Sequence, residues 1–129
     1  MPLANKELIK KITQAYINGD KNFVLNHLSN EIKWKIVGMP EITGKNNFIK
    51  TMEVLDCWLS VPEENKVNII IKNIIAEGAY VVVEGTCKGN FSVSNSNPSY
   101  CDVYRIKDGL IEEITTYIVD VSSNEEKKL

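Results

Sequence analysis

After the polar stretch Pro62-Glu63-Glu64-Asn65-Lys66, the apolar residues of this chain fall into four runs: Val67 to Ile75, Tyr80 to Cys87, Tyr100 to Ile106 and Leu110 to Val121. Each is rich in Val, Ile, Thr and Tyr, whose branched or aromatic side chains suit a pleated surface. Turn signals separate them. Glu77-Gly78 suits a tight hairpin, Ser94-Asn95-Ser96-Asn97-Pro98 a longer polar loop, and Lys107-Asp108-Gly109 a hairpin whose glycine takes a positive φ. Such a run of strands joined end to end predicts an antiparallel meander.

The first half is written in a different period. From Asn5 to Asn18, Leu8, Ile9, Ile12, Ala15 and Tyr16 recur at steps of three and four with Lys6, Lys10, Lys11 and Gln14 between them. This spacing predicts an amphipathic helix capped by Asn5. Gly19-Asp20 supplies a stop followed by an N-cap, and Phe23, Val24 and Leu28 form the inner stripe of a short second helix. Ile32-Lys33-Trp34-Lys35-Ile36 alternates strictly, so Ile32, Trp34 and Ile36 share one face of a half-buried strand. Gly38-Met39-Pro40 and Thr43-Gly44 then punctuate a loop. Phe48, Ile49, Met52, Leu55 and Leu59 restore helical spacing through about Ser60. Helices first and strands afterwards predict an α+β fold: three N-terminal helices packed on a segregated antiparallel sheet.

With 129 residues, 43% of them hydrophobic, the chain builds one core. We expect one domain over residues 1–121 and a flexible tail over 122–129. The balance of 15 Lys+Arg against 17 Asp+Glu offers no broad positive field, which argues against nucleic acid and anionic membrane as partners. Cys57, Cys87 and Cys101 are odd in number and lack CxxC pairing, so they read as free thiols of a reducing compartment, with no metal site. MPLANKELIKKI lacks the apolar run of a signal peptide, and nowhere do roughly 18 apolar residues follow one another. A soluble, cytoplasmic protein is expected. Lys88-Gly89-Asn90 is too short for a phosphate-cradling loop, so no cofactor is implied.

Helix, Gly19-Asp20, helix, a strand with Trp34, Gly38-x-Pro40-x-x-x-Gly44-Lys45, helix, and finally Val103-Tyr104-Arg105-Ile106-Lys107-Asp108-Gly109-Leu110-Ile111-Glu112-Glu113-Ile114 resembles the nuclear transport factor 2-like superfamily. The nearest branch is the SnoaL-like and ketosteroid-isomerase-like one, and the resemblance spans about Leu8 to Asp120. It implies a cone-shaped fold: a curved antiparallel sheet, mixed at its edge, that encloses an apolar pocket with the helices. It also implies a homodimer formed through the convex face of the sheet. As to chemistry it implies isomerases, cyclases, hydrolases or dehydratases, beside proteins with none.

Ketosteroid isomerases use a general-base Asp on the first strand, with a helix Tyr and a protonated Asp as oxyanion donors. Counting from Gly19-Asp20, the tyrosine position falls on Ile12 and the base position on Ile36, and neither can transfer a proton. Asp102-Val103-Tyr104-Arg105 does match, which puts Asp102 at the oxyanion-donor position. The Arg-x-Asp pair of limonene-epoxide-hydrolase-like proteins has no counterpart; Glu84-Gly85-Thr86 and the strand arginine Arg105 do not supply it.

Asp102 is therefore the candidate catalytic residue. Under a period of two it shares a face with Tyr100, Tyr104 and Ile106: either that face is the inner one and burial raises the carboxyl pKa, or Asp102 points outward to a Lys or Arg. The candidate pocket is lined by Ile12, Tyr16 and Met52 of the helices and by Trp34, Ile36, Val83, Tyr104, Thr116 and Asp120 of the strands. Tyr16 and Trp34 each carry an apolar body with one polar handle, which suits a wall for a flat ligand and equally a plain core. Thr116, inward with Ile114 and Ile118, donates to a ligand or is satisfied within the core. Asp120 sits at the cone's mouth or simply in water. Glu84 either enters the cavity or lies on the convex face with Tyr80, Val82, Cys101, Val103 and Arg105. His27, on the second helix, is a structural residue or a catalyst. The expected function is binding of a small, mostly apolar or cyclic organic molecule, with acid-base chemistry at Asp102; the alternative is a non-catalytic ligand-binding or dimerisation module.

Overall fold

The computed structural model describes residues 2–54, 68–88 and 99–119. Helix α1 spans Pro2–Asn18 and starts earlier than the Asn5 cap that the spacing suggested. Proline lacks the N–H that a first turn leaves unpaired, so Pro2 suits that position. Asn5 lies within the helix, and its amide donates 3.3 Å to the carbonyl of Gly78. Ile9, Ile12 and Ala15 are buried on one stripe of α1. The chain turns out of α1 as Gly19 N–H and Asp20 N–H bond the carbonyls of Tyr16 and Ala15. Asp20 then caps α2 (Lys21–Asn26) by accepting from Phe23 N–H at 3.2 Å.

Two expectations for the next segment are corrected. Helix α2 ends at Asn26, so Leu28 opens strand β1 (Leu28–Ile36) instead of completing a helical stripe. His27 is the C-cap of α2 and not a helical residue; its Nδ1–H donates to the Phe23 carbonyl at 2.8 Å while the two rings stack at 4.3 Å. Along β1 the alternation holds, with Leu28, Ile32, Trp34 and Ile36 buried. The stretch read as a loop contains a short strand, β2 (Ile42–Thr43), which pairs antiparallel with Lys33 and Trp34. Helix α3 covers Lys45–Val54 and buries Phe48 and Met52. Its expected continuation through Leu55, Leu59 and Ser60 lies outside the described residues, as do the 122–129 tail and the Ser94–Pro98 loop.

Strands β3 (Asn68–Glu77), β4 (Tyr80–Lys88), β5 (Ser99–Lys107) and β6 (Leu110–Val119) follow as the meander. The β5–β6 turn takes positive φ at both Asp108 (54°) and Gly109 (78°), the pair a twisted two-residue hairpin needs. The sheet order is β2-β1-β6-β5-β4-β3, antiparallel except where β1 runs parallel to β6. The parallel pair lies one strand inside the edge, because β2 covers β1. The fold is α+β, with a mixed six-stranded sheet and three helices among the described residues.

Helix α1 packs on β3 and β4, and α3 on β1 and β2. One buried cluster joins them: Ile9, Ile12 and Phe48 from the helices meet Trp34, Val81, Val83, Tyr104, Ile111 and Ile114 from the sheet. Among the described residues no helix is long and apolar enough to cross a membrane.

Candidate functional site

The parity of β5 decides where Asp102 goes. Tyr104 and Ile106 are buried on the helix side, so Asp102 and Tyr100 face the same way. Asp102 pairs with Val83 on β4 and with Thr116 on β6, which brackets it between a buried valine and a buried threonine. Of the two alternatives for Asp102, the outward one is overturned. Arg105, on the opposite face, pairs instead with Glu112 at 2.8 Å and Glu113 at 3.2 Å. A register shift between Arg105 and Ile106 allows this: with Arg105 opposite Glu113 and Ile106 opposite Ile111, Glu112 is the extra residue of a bulge.

Four side chains form a polar string within the apolar cluster. Trp34 Nε1–H donates to Thr116 Oγ1 at 2.9 Å. The Thr116 hydroxyl in turn lies beside Asp102 and favours its ionised form by hydrogen bonding. Tyr104 donates its hydroxyl to Asp102 Oδ2 over a long 3.4 Å. Asp102 Oδ1 has no accessible surface and no hydrogen-bond partner among the described residues. A buried oxygen of this kind is costly, on the order of 1–3 kcal/mol, and more if charged.

Burial is the main force on the carboxyl, pushing it up to about 6 from the ordinary 3.8 against the hydrogen bonds from Thr116 and Tyr104. Asp102 is therefore mostly ionised at neutral pH, unlike the protonated donor that its matching position implies. The Tyr104 phenol is held well above 10.0, first by burial and then by Asp102, Tyr16 and Tyr100 nearby. It stays a neutral donor at any physiological pH.

Ile12, Trp34, Ile36, Met52, Val83, Tyr104 and Thr116 are all buried, and Tyr16 packs partly buried against them. Thr116 is a satisfied core residue as far as its lone pair is concerned, since it accepts from Trp34. Ile118 has the inward parity but is 39% exposed. Glu84 is exposed on the outer face, where Asn73 Nδ2 donates to it at 2.7 Å, so it is not a substitute base. His27 stands at the α2–β1 corner with its Nδ1 used by Phe23, apart from Asp102. Asp120 and Cys57, and the side chain of Cys87, lie outside the described residues. Cys101 is a free thiol on the outer face, its pKa raised by burial and by the nearby Asp102 and Glu84.

Tyr100 is the site residue that periodicity undervalued. It is partly buried against the core and close enough to Tyr104 to shift it. Its spacing of two from Asp102 was the available signal.

Residues 9–114 match the SnoaL-like domain. The chain belongs to the SnoaL-like family. No curated protein matches the sequence. Among solved structures it is similar to a nuclear transport factor 2-like protein of unknown function from Cytophaga hutchinsonii, with 28% identity, 88% of this chain and 98% of that one covered, and a TM-score of 0.66. It is similar also to a putative ketosteroid isomerase from Kribbella flavida at 12% identity, covering 88% and 76%, TM-score 0.70. An LEH-like epoxide hydrolase from M. tuberculosis matches at 20% identity, covering 87% and 80%, TM-score 0.67. The first of these likenesses, with the family match, gives this SnoaL-like chain a nuclear transport factor 2-like fold; the last two are likenesses of fold alone.

Proposed function

We propose that this SnoaL-like protein binds a small, mostly apolar organic molecule in a pocket between its helices and the inner face of the sheet, with Asp102 as its polar centre. The observation that carries the reading is Asp102 Oδ1, a buried carboxylate oxygen without a protein partner among the described residues. Core packing alone gives no reason for a carboxylate there, and an apolar cone with one convergent polar group is what a small-molecule site needs. A carboxyl near pH 6 is also suited to take up and release a proton at neutral pH, so Asp102 acts as an acid-base group of isomerase or hydrolase type. Tyr104 and Thr116 position it, and Ile12, Tyr16, Trp34, Ile36, Met52 and Val83 supply the apolar walls.

The second reading, a binding module without turnover, is favoured by Ile12 and Ile36. Both are buried and inert where ketosteroid isomerases carry proton-transfer groups. Ligand-observed NMR with a mixture of small cyclic ketones, lactones and phenols tests both readings. Binding that weakens at least tenfold in Asp102→Asn supports the site; equal binding by both proteins removes Asp102 from it. Turnover of a bound compound by the wild type alone would decide for the enzyme.

The outer face offers Ile70, Ile75, Tyr80, Tyr117 and Val119 to solvent. Exposed apolar side chains gathered on one sheet face suit association, and we propose a homodimer through this surface in a soluble, cytoplasmic protein.

A further inference from the structure

The direction of the hydrogen bonds around Asp102 restricts what can be bound there. Trp34 has a single N–H, and it is spent on Thr116 Oγ1. The Thr116 hydroxyl, which accepts that N–H, stands opposite Asp102 across the β5–β6 ladder and favours its ionised form. Tyr104 has one hydroxyl hydrogen, directed at Asp102 Oδ2. The Tyr104 donor is thus spent on Oδ2 and the Trp34 donor on Thr116, and the open valence of the string is an acceptor, Oδ1. An ionised carboxylate accepts hydrogen bonds and donates none. A ketone, lactone or ether oxygen brought to Oδ1 would set lone pair against lone pair, whereas a hydroxyl or N–H would complete the string.

We propose that the site selects ligands that carry a hydrogen-bond donor, a hydroxyl, phenol or N–H on an otherwise apolar ring, delivered to Asp102 Oδ1, and rejects carbonyl or ether analogues of the same size. This rests on the ligand-binding reading above. It reverses the polarity of an oxyanion hole, in which protein donors converge on a ligand oxygen. Tyr104, Thr116 and Trp34 are positioning residues: Tyr104 holds Oδ2 and Trp34 fixes Thr116 beside the carboxylate, which leaves Oδ1 for the ligand.

Selectivity also follows the charge on Asp102. Among the described residues the titratable groups near it on the inner face are Tyr104 and Tyr100 from β5 and Tyr16 from α1; burial first, then Asp102, Tyr16 and Tyr100, hold the Tyr104 phenol well above its ordinary value. Among the described residues β4 offers Val83, β6 offers Thr116, and β1 and α3 offer Trp34, Ile36, Phe48 and Met52, none of them charged. Protonation of Asp102 turns it from acceptor into donor, so the preference for donors collapses on acidification.

The test uses the full chain and two matched pairs, cyclohexanol with cyclohexanone and phenol with anisole, titrated by protein-observed NMR at pH 8 and pH 5. At pH 8 the alcohol and the phenol are expected to bind about ten- to a hundredfold tighter than their partners, the range for a hydrogen bond to a charged group. At pH 5 that ratio falls to about unity or inverts. The wild-type pH comparison needs no variant to fold, and a purely structural Asp102 would not move it. Asp102→Asn, whose amide both donates and accepts, should show no preference at either pH. Tighter binding of cyclohexanone and anisole at pH 8, or equal binding within each pair, overturns the inference while leaving the ligand-binding reading intact. Failure of all four compounds to bind at millimolar concentration overturns both.

Discussion

Asp102 places an ionisable oxygen where no described residue hydrogen-bonds it, so ionising the carboxyl costs more in the folded chain than in the unfolded one. With the group pushed up to about 6 in the fold against an ordinary 3.8, the folded state holds this proton more tightly than the unfolded one. A raised carboxyl pKa makes its stabilising contribution below about pH 4 and loses it as pH climbs to about 6, a total on the order of 3 kcal/mol. Asp102→Asn removes the titration and is expected to be more stable than the wild type at pH 8, by about 1–3 kcal/mol, with little difference at pH 4. Urea unfolding of both proteins at the two pH values measures it; parallel pH dependence would exclude burial of the charge as the cause. The parity that groups Tyr100, Asp102 and Tyr104 was legible in the sequence. That Tyr104 and Thr116 both serve Asp102, and that Trp34 serves Thr116, was not, because these pairs meet across strands whose register only the fold sets.

At the scale of elements, local chemistry and strand register made different things visible. The Gly19-Asp20 stop and cap, the alternation along β1 and the Asp108-Gly109 hairpin each depend on neighbours within a few residues, and all three appear where the spacing puts them. Leu28 and the Ile42–Thr43 strand were misjudged because a residue or two of apolar sequence fits a helix, a strand or a loop equally well, and pairing with β6 or β1 decided the matter. Gly85 carries a constraint of the same non-local kind. Strand β3 shifts register between Ile71 and Asn73, and a Cβ added to Gly85 would overlap the carbonyl oxygen of Ile70. Backbone cannot yield as a side-chain tip does, so Gly85→Ala is expected to cost at least about 2 kcal/mol. The shift of its urea midpoint, with Thr86→Ala as a neighbouring control, would reveal a loss below about 0.5 kcal/mol if the strand accommodates the methyl.

For the whole molecule, the two faces of the sheet differ in their partners. The inner face is covered by α1 and α3, while the outer face presents Ile75 at 63% and Tyr117 at 46% exposure with no helix above them among the described residues. The double substitution Ile75→Lys and Tyr117→Lys puts charges on that surface and is expected to convert a dimer into a folded monomer in sedimentation velocity. A wild type that sediments as a monomer at high micromolar concentration would exclude the dimer outright.

The sequence by itself determined the class of fold, the order of its elements and the inward face of most strands, because hydrophobic periodicity reports which side of each element meets the core. It also carried the family, through motifs spaced along nearly the whole chain. The tertiary structure alone decided the parallel β1–β6 pair and the partners of Asp102. It also decided that Asp102, the one carboxylate among the described inward residues, keeps an oxygen without a partner among them. The physical reason is common to all three: hydrogen-bond direction and strand register are set between segments up to 82 residues apart, as Trp34 and Thr116 are, and no local pattern encodes them.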